Sequence, residues 1–503
     1  MIPETEIIET VRADVVVVGA GLAGLCAAKR ASELGASVAL VEKTATISIR
    51  GGHVCSVNSK AWRAAGVVND EKAFAREWIA ACGNRCREDQ VWLFVNNSEE
   101  ALNWLIDMQA RRGIRAKLVG ARYTGSEYTE RYGAHMFVDG SGKNVLQEVG
   151  NNLYEESAAA GVRCFFETPG RYLEQENGRI TAVIAGTQGS YRRFAAARGV
   201  ILATGDIAGD GEMLEAYCPM FLKVRHNYYW PKGANTGDGH KMGLWAGGVM
   251  EDGPLPTIMH PQAYSRLVGF FLHVNARGER FMNEDTWSQA KSVNVLKQPE
   301  GIDYAFSVFD ADYLEQLIAG MPYSGGLFSD NAASTYGVPF DGSMERRMME
   351  TGLKNGNIVT ADTLPELAEK MGVPEQTLLD TVARYNALAD AKDDTDYGKR
   401  PELLFPIRKP PFYASKFGPS RLAVTGGLLV DRHLRVLNRA QEPIPGLYAV
   451  GNVAGGLYGV DYPTLIPGSS HGRAVTWGYL AARYALQDCE PADPPETRAA
   501  PIS

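Results

Sequence analysis

The 503-residue sequence is poor in cysteine, with seven in all and no CxxC or CxxCH spacing among them. Cys26, Cys55, Cys82, Cys86, Cys164, Cys218 and Cys489 form an odd-numbered set. This predicts a reducing, cytoplasmic setting and argues against a built-in zinc ribbon, c-type haem or ferredoxin cluster. Cys82 and Cys86 read as two ordinary thiols. No apolar run approaches the ~20 residues that span a bilayer. The opening stretch MIPETEIIETVR lacks the basic and apolar regions of a signal peptide. Positive charge is in deficit: 51 Lys and Arg stand against 59 Asp and Glu, a net charge of −8, which excludes the basic footprint of a nucleic-acid binder. The histidines show no metal-ligand spacing, so no metal is expected. What remains is ordinary globular composition, 45% hydrophobic and 22% charged, in a chain too long for one core. Two domains are expected, one inserted in the other.

Residues 13–18 (Ala13-Asp14-Val15-Val16-Val17-Val18) form an apolar, β-branched run of the kind that makes a doubly buried strand. Gly19-Ala20-Gly21-Leu22-Ala23-Gly24 follows at once, then a helical stretch over 25–34, a second strand over 37–41, and Glu42. This order is that of a dinucleotide-binding unit. Gly19 permits the sharp turn, Gly21 admits a pyrophosphate, Gly24 lets helix and strand approach, and Glu42 stands where a carboxylate holds ribose hydroxyls. The fingerprint alone does not separate FAD from NAD. Three further features favour FAD: the strand ending in Ala203-Thr204-Gly205, the strand Gly446–Gly451 with Asn452, and the loop Arg50-Gly51-Gly52-His53 placed for an isoalloxazine. Helical spacing predicts helices over 72–81, 90–110, 364–371, 374–388 and 472–486. The tail after Cys489 is Pro-rich and expected to be disordered.

The segments VVVVGAGLAGLCAA…VEK, GVILATGD, NTGDGHKMGLWAGG, VNARGERFMNE, TGGLLVD and PIPGLYAVGN run nearly the whole chain. In that order they resemble the fumarate reductase/succinate dehydrogenase flavoprotein superfamily, which includes 3-ketosteroid dehydrogenases. The resemblance implies an α/β fold in which a Rossmann-like FAD-binding domain (1–253 and 421–503) carries an inserted α+β substrate-capping domain (254–420). It implies FAD contacts from Gly19, Ala20, Gly21, Leu22, Ala23, Gly24, Glu42 and Lys43, and from the loop Arg50, Gly51, Gly52 and His53. Further contacts are implied from Gly170, Ala203, Thr204, Gly205, Asp238, Gly451, Asn452, Ser469 and Ser470. His53 falls near the position of a covalent flavin ligand in succinate dehydrogenases, but a hydrogen-bonding role near the ring is expected rather than covalent attachment.

At the substrate end the resemblance divides. Fumarate reductases hold a dicarboxylate with Arg and His. The position of their catalytic Arg, five past the Asn of Arg280-Phe281-Met282-Asn283-Glu284, is Ser288, a second Arg position is Tyr462, and the His position falls in Ala423-Val424. A dianion would lose its charge-assisted contacts. Tyr462-Pro463 with Pro467-Gly468 instead resembles the ketosteroid branch, implying that Tyr462 and the Gly468 N–H polarise a ketone oxygen. That branch's proton-abstracting Tyr also falls at Ser288, a weak base. His260, Tyr264 and Tyr132 are the other candidates for proton transfer. The expected function is FAD-dependent dehydrogenation of a CH–CH bond beside the carbonyl of a cyclic or steroid-like ketone, or the reverse reduction. An enoate or aryl-acrylate reductase and a non-catalytic flavin carrier are the alternatives. The expected partners are a small ketone or enone and an external electron acceptor or donor.

Overall fold

A computed structural model gives the fold and describes residues 2–120, 132–324, 336–338 and 340–487. Cys489 and the tail expected to be disordered lie outside the described residues. Strand Ile7–Val18 is central to an eight-stranded sheet. Val15, Val16, Val17 and Val18 are all buried, and each fully buried branched side chain contributes ~1.5–3 kcal/mol to the sheet interior. The strand runs parallel to Val38–Val41 on one side and to Tyr191–Leu202 on the other, so that Val18 faces Val41 and Leu202. Strand Pro443–Ala449 joins the far side of Tyr191–Leu202 in parallel, with Ala449 opposite Leu202. The two ends of the chain therefore build one sheet. The ends of the strands bearing Val18, Val41, Leu202 and Ala449 lie side by side, and those at Val18 and Leu202 lead directly into small residues, Gly19-Ala20-Gly21 and Ala203-Thr204-Gly205.

Two helices pack tightly at this sheet. Helix Leu22–Glu33 starts three residues earlier than the apolar spacing predicts, because the glycine turn itself becomes the first helical turn. The C-terminal helix Ser469–Gln487 also starts early, drawing Ser469 and Ser470 into its first turn. Their contact depends on Gly478, where a Cβ would lie 2.4 Å from the Ala23 carbonyl oxygen.

A second sheet, of six strands, takes its members from residues 226–424 and is organised by the long strand Phe412–Val424. Antiparallel partners Thr257–Tyr264, Ala305–Phe309 and Ile358–Ala361 pair along it. Helices predicted over 364–371 and 374–388 occur as Leu364–Met371 and Glu375–Ala391, packing Leu367, Leu378 and Val382 against this sheet's core. Among the described residues no helix is long and apolar enough to cross a membrane.

Candidate active site

The turn after Val18 is shaped by close backbone approach. Gly19 has φ +108°, and a Cβ there would lie 2.4 Å from the Ala203 oxygen. At Gly24 a Cβ would lie 1.9 Å from the Gly19 oxygen. Gly21, the N-cap of helix Leu22–Glu33, differs: its Cβ would meet nothing, and no side chain caps the helix. The first N–H groups and the positive end of the helix dipole thus face open space, the requirement for a pyrophosphate. Glu42 is held by the Ala20 N–H (2.7 Å) and by the N–H and hydroxyl of Thr44 (both 2.8 Å). Lys43 pairs with Asp238 at 2.8 Å and donates to Thr236 at 2.9 Å. Thr204 Oγ1 is buried without a hydrogen-bond partner among the described residues. Gly19, Ala20, Glu42, Lys43, Gly170, Thr204 and Asp238 line a cavity of about 120 Å³.

That cavity shares Gly21, Ser48, Ala203, Gly205 and Tyr229 with a second one of about 940 Å³. Leu22, Ala23, Gly451, Asn452, Ser470 and the whole loop Arg50–His53 line the larger one, and so do all five residues expected at the reaction centre: Tyr462, Gly468, His260, Tyr264 and Ser288. Gly24 and Ser469 line neither cavity. Gly24 acts through packing, and Ser469 is buried with its hydroxyl 3.4 Å from that of Tyr458. Tyr132 is also removed from the cavity, buried edge-on against Phe74 at 5.0 Å.

Two loops clasp each other at the bend of the large cavity. Gly468 has φ +77°, and a Cβ there would lie 2.4 Å from the His53 oxygen, which also bonds His471 Nδ1 at 2.8 Å. The Tyr462 hydroxyl accepts the Ser470 N–H (3.1 Å) in the first turn of the C-terminal helix. Ser470 Oγ donates to Asn452 Oδ1 (3.0 Å), and the fully buried Arg473 donates to the same oxygen (2.7 Å) and to the carbonyls of Thr425 and Ala454. Burial pushes the Tyr462 phenol up, against the opposing effect of bonds from Ser469 and Ser470. The phenol therefore keeps its proton at neutral pH and sits fixed at a helix N-terminus. Beneath the same loop, Glu251 accepts from the N–H groups of Gly427 and Gly456 (both 2.9 Å), and burial pushes it up to about 7.

The opposite wall comes from strand Thr257–Tyr264 and helix Ser288–Val295. Gln289 fastens them, accepting from the Met259 N–H (2.7 Å) and donating to the Thr257 carbonyl (2.6 Å), which sets His260 and Ser288 on one wall. Burial, with help from the charges of Arg266 and His53, holds the His260 imidazole down at about 4, so it is neutral at pH 7. Tyr264 has φ +72° and gives its hydroxyl proton to Asp303 (2.9 Å), and burial with this bond pushes it up to about 12.

Sequence reading missed several lining residues. Tyr229, 3.7 Å under the Arg50 guanidinium, lies in a stretch without a motif. Met344, Arg347, Met348, Thr351 and Asn355 line the cavity from one face of helix Ser343–Asn355. Their three- and four-residue spacing was visible, but spacing does not say whether a face meets a core or a cavity.

The donor set fits FAD: an open helix N-terminus, a carboxylate fixed beside the glycine turn and a cavity running from it into a wider chamber. A family model described as "FAD binding domain" matches residues 14–463. The chain is 28% identical over 494 residues to the NADH:fumarate oxidoreductase of Klebsiella pneumoniae (strain 342), covering 94% of this chain but 48% of that protein, so it spans about half that relative's length. It is 26% identical over 579 residues to the 4-oxocyclohex-2-ene-1-carboxylate 5-dehydrogenase of Sinomonas cyclohexanicum, covering 94% of each. The solved 3-ketosteroid-Δ4-(5α)-dehydrogenase of Rhodococcus jostii RHA1 superposes with a TM-score of 0.72 at 24% identity, covering 96% of this chain and 98% of that one. With the fold, the phosphate turn and the family match in agreement, the chain belongs to the FAD-binding-domain family of flavoproteins that includes fumarate reductases and ketosteroid dehydrogenases, and its cofactor is FAD.

Proposed function

We propose that the chain is an FAD-dependent oxidoreductase acting on the CH–CH bond next to the carbonyl of a cyclic ketone, by dehydrogenation or by the reverse ene reduction. The observation that carries this reading is the Tyr462 hydroxyl, fixed by the Ser470 N–H on a cavity that the flavin-binding loops also line. The name of the Sinomonas relative, which couples a ring ketone to desaturation of a neighbouring bond, supports it.

When bound, FAD supplies hydride exchange with the substrate's β-carbon. Tyr462 donates its phenolic proton as a hydrogen bond to the ketone oxygen, and the Gly468 N–H is the second donor. Both strengthen as enolate charge develops on that oxygen, which is how an oxyanion hole accelerates reaction. Asn452, bonded to Ser470 and Arg473, keeps the helix start that holds Tyr462 in place. On the facing wall, His260 carries a neutral imidazole able to accept the α-proton, whereas Tyr264 has committed its hydroxyl to Asp303. Ser288 positions substrate rather than taking the proton, since an unassisted hydroxyl is a weak base. Electrons then pass to an external acceptor.

Anaerobic mixing tests the reading. FAD-loaded protein should bleach with cyclic ketones, and the reduced protein should reoxidise with cyclic enones. Reoxidation by linear acrylates alone would favour the enoate-reductase alternative, and no flavin response to either class would leave a carrier.

A further inference from the structure

The sequence reads Cys82 and Cys86 as two ordinary thiols, and the structure sets them together under the loop that leads to Tyr462. Helix Glu71–Ala81 ends at Cys82, its C-cap. Gly83 (φ +66°) and Asn84 (φ +56°) then turn the chain back, and the Arg85 N–H returns to the Cys82 carbonyl at 3.3 Å. The turn brings the Cys86 thiol against that of Cys82, and the two share a hydrogen bond. Cys82 is fully buried, while Cys86 is half-buried behind the exposed residues 83–85. The bond donated by Cys82 lowers the Cys86 thiol against the effect of its own burial, whereas burial raises Cys26, Cys55, Cys164 and Cys218. Among the described cysteines, Cys86 therefore combines access with thiolate character, the two properties that govern reaction with a peroxide.

The same turn is clamped to the loop over 456–462. The Arg87 N–H donates to the Gly456 carbonyl (2.7 Å), and Trp78 Nε1 donates to that of Leu457 (2.9 Å). At Gly459 (φ +62°) a Cβ would lie 2.7 Å from the Cys86 nitrogen and 3.0 Å from the Cys82 oxygen, so this glycine rests on the backbone of both cysteines. Three residues later, Tyr462 packs on Tyr458 (5.1 Å), which packs in turn on Trp78 (5.6 Å). We propose that Cys82 and Cys86 are a peroxide-reactive dithiol whose closure to a disulfide shifts the loop carrying Tyr462. Hydrogen peroxide is small and uncharged, which suits it to a half-buried sulfur. The Cys86 thiolate attacks it: the O–O bond breaks, sulfur takes one oxygen as a sulfenic acid, and the other leaves as hydroxide. The Cys82 sulfur then attacks the sulfenic sulfur. The S–S bond forms, the S–O bond breaks, and the departing oxygen leaves as water with the Cys82 proton. Two electrons have passed from the thiol pair to the peroxide. Joining the sulfurs draws the two cysteines together, and Gly459, resting on both, is displaced.

Brief exposure of the FAD-loaded protein to dilute hydrogen peroxide, followed by thiol alkylation and peptide mapping, tests the proposal. Cys82 and Cys86 should together lose the mass of two hydrogens and both alkylation sites, and dithiothreitol should restore them. C82S should stop at a sulfenic acid on Cys86 that dimedone traps, and C86S should leave Cys82 open to alkylation after denaturation. Hydrogen exchange reads the loop directly: the amides over 456–462 should exchange roughly tenfold faster after oxidation, return on reduction, and stay unchanged in C86S treated alike. Survival of both thiols in peroxide, or a bond from either to another cysteine, would overturn the dithiol. A Cys82–Cys86 disulfide with unaltered exchange over 456–462 would overturn its action on the loop. None of these readouts uses a ketone, so they are decided apart from the proposed reaction.

Discussion

At the adenosine end of the cavity, Gly19, Gly21 and Gly24 let backbone meet backbone or leave room for phosphate, and one carboxylate, Glu42, is fixed by three local bonds. In the larger chamber, Tyr462, His260, Tyr264, Arg266 and Arg347 converge from three separate stretches of chain, and their side chains determine what the cavity can hold. The first region recognises a constant partner through geometry that few residues other than glycine permit. The second is built from side chains rather than from backbone contacts.

The largest expected effects come from testing that division within the glycine turn. Gly24→Ala places a methyl against the Gly19 carbonyl, a backbone atom that cannot swing aside. Its cost should exceed the ~1–3 kcal/mol usual for overpacking and yield poorly folded, colourless protein. Gly21→Glu meets no protein atom at its Cβ but sets bulk and negative charge against the pyrophosphate. It should leave the thermal transition of the apoprotein near that of the unmodified one and abolish FAD binding. Melting temperature and the flavin-to-protein absorbance ratio separate the two, and a Gly21→Glu protein that retained full FAD would break the comparison.

Glu251 holds the turn at Gly456, ahead of Tyr462, and burial raises it from 4.5 to about 7 in the folded chain. The fold therefore favours its protonated form. Its contribution to stability is fully present below pH ~4.5 and is lost as pH rises through about 7, on the order of 3 kcal/mol. Glu251→Gln stays neutral throughout. The melting temperature of the unmodified protein minus that of the variant should fall by a few degrees between those pH values. Asp206 and Asp461, each raised to about 6, titrate in both proteins and cancel in the difference. A pH-independent difference would place the carboxylate in a wetter setting.

The same division explains what could be read from the residues. Gly19, Gly21, Gly24 and Glu42 carry their meaning in their spacing, because the strand, turn and helix that use them are contiguous. The return of strand Pro443–Ala449 to the N-terminal sheet was legible for a related reason: small residues after an apolar run mark the strand ends where a long cofactor lies. The resemblance implies a cofactor contact from Ser469 as well as Ser470, but one step along a helix turns a side chain by about a hundred degrees, and Ser469 is buried with its hydroxyl towards Tyr458. Tyr264 looked free to move a proton, yet its partner Asp303 lies on a remote segment. Arg347 gave no signal, since a basic residue on an amphipathic helix reads as a solvated face until the cavity beside it is seen.

Tyr462→Phe asks whether the cavity that the flavin-binding loops line also carries the donor to the substrate's carbonyl. The ring and its packing against Tyr458 at 5.1 Å are kept, while the donor to the ketone is removed together with the acceptor of the Ser470 N–H. Loss of a donor to developing charge costs roughly 2.7–4 kcal/mol, or ~10²–10³ in rate. With a cyclic ketone as substrate, kcat should fall by that factor while KM changes little and FAD content stays at the unmodified level. A Tyr462→Phe enzyme with undiminished kcat and full flavin would rule out Tyr462 as the donor to the carbonyl.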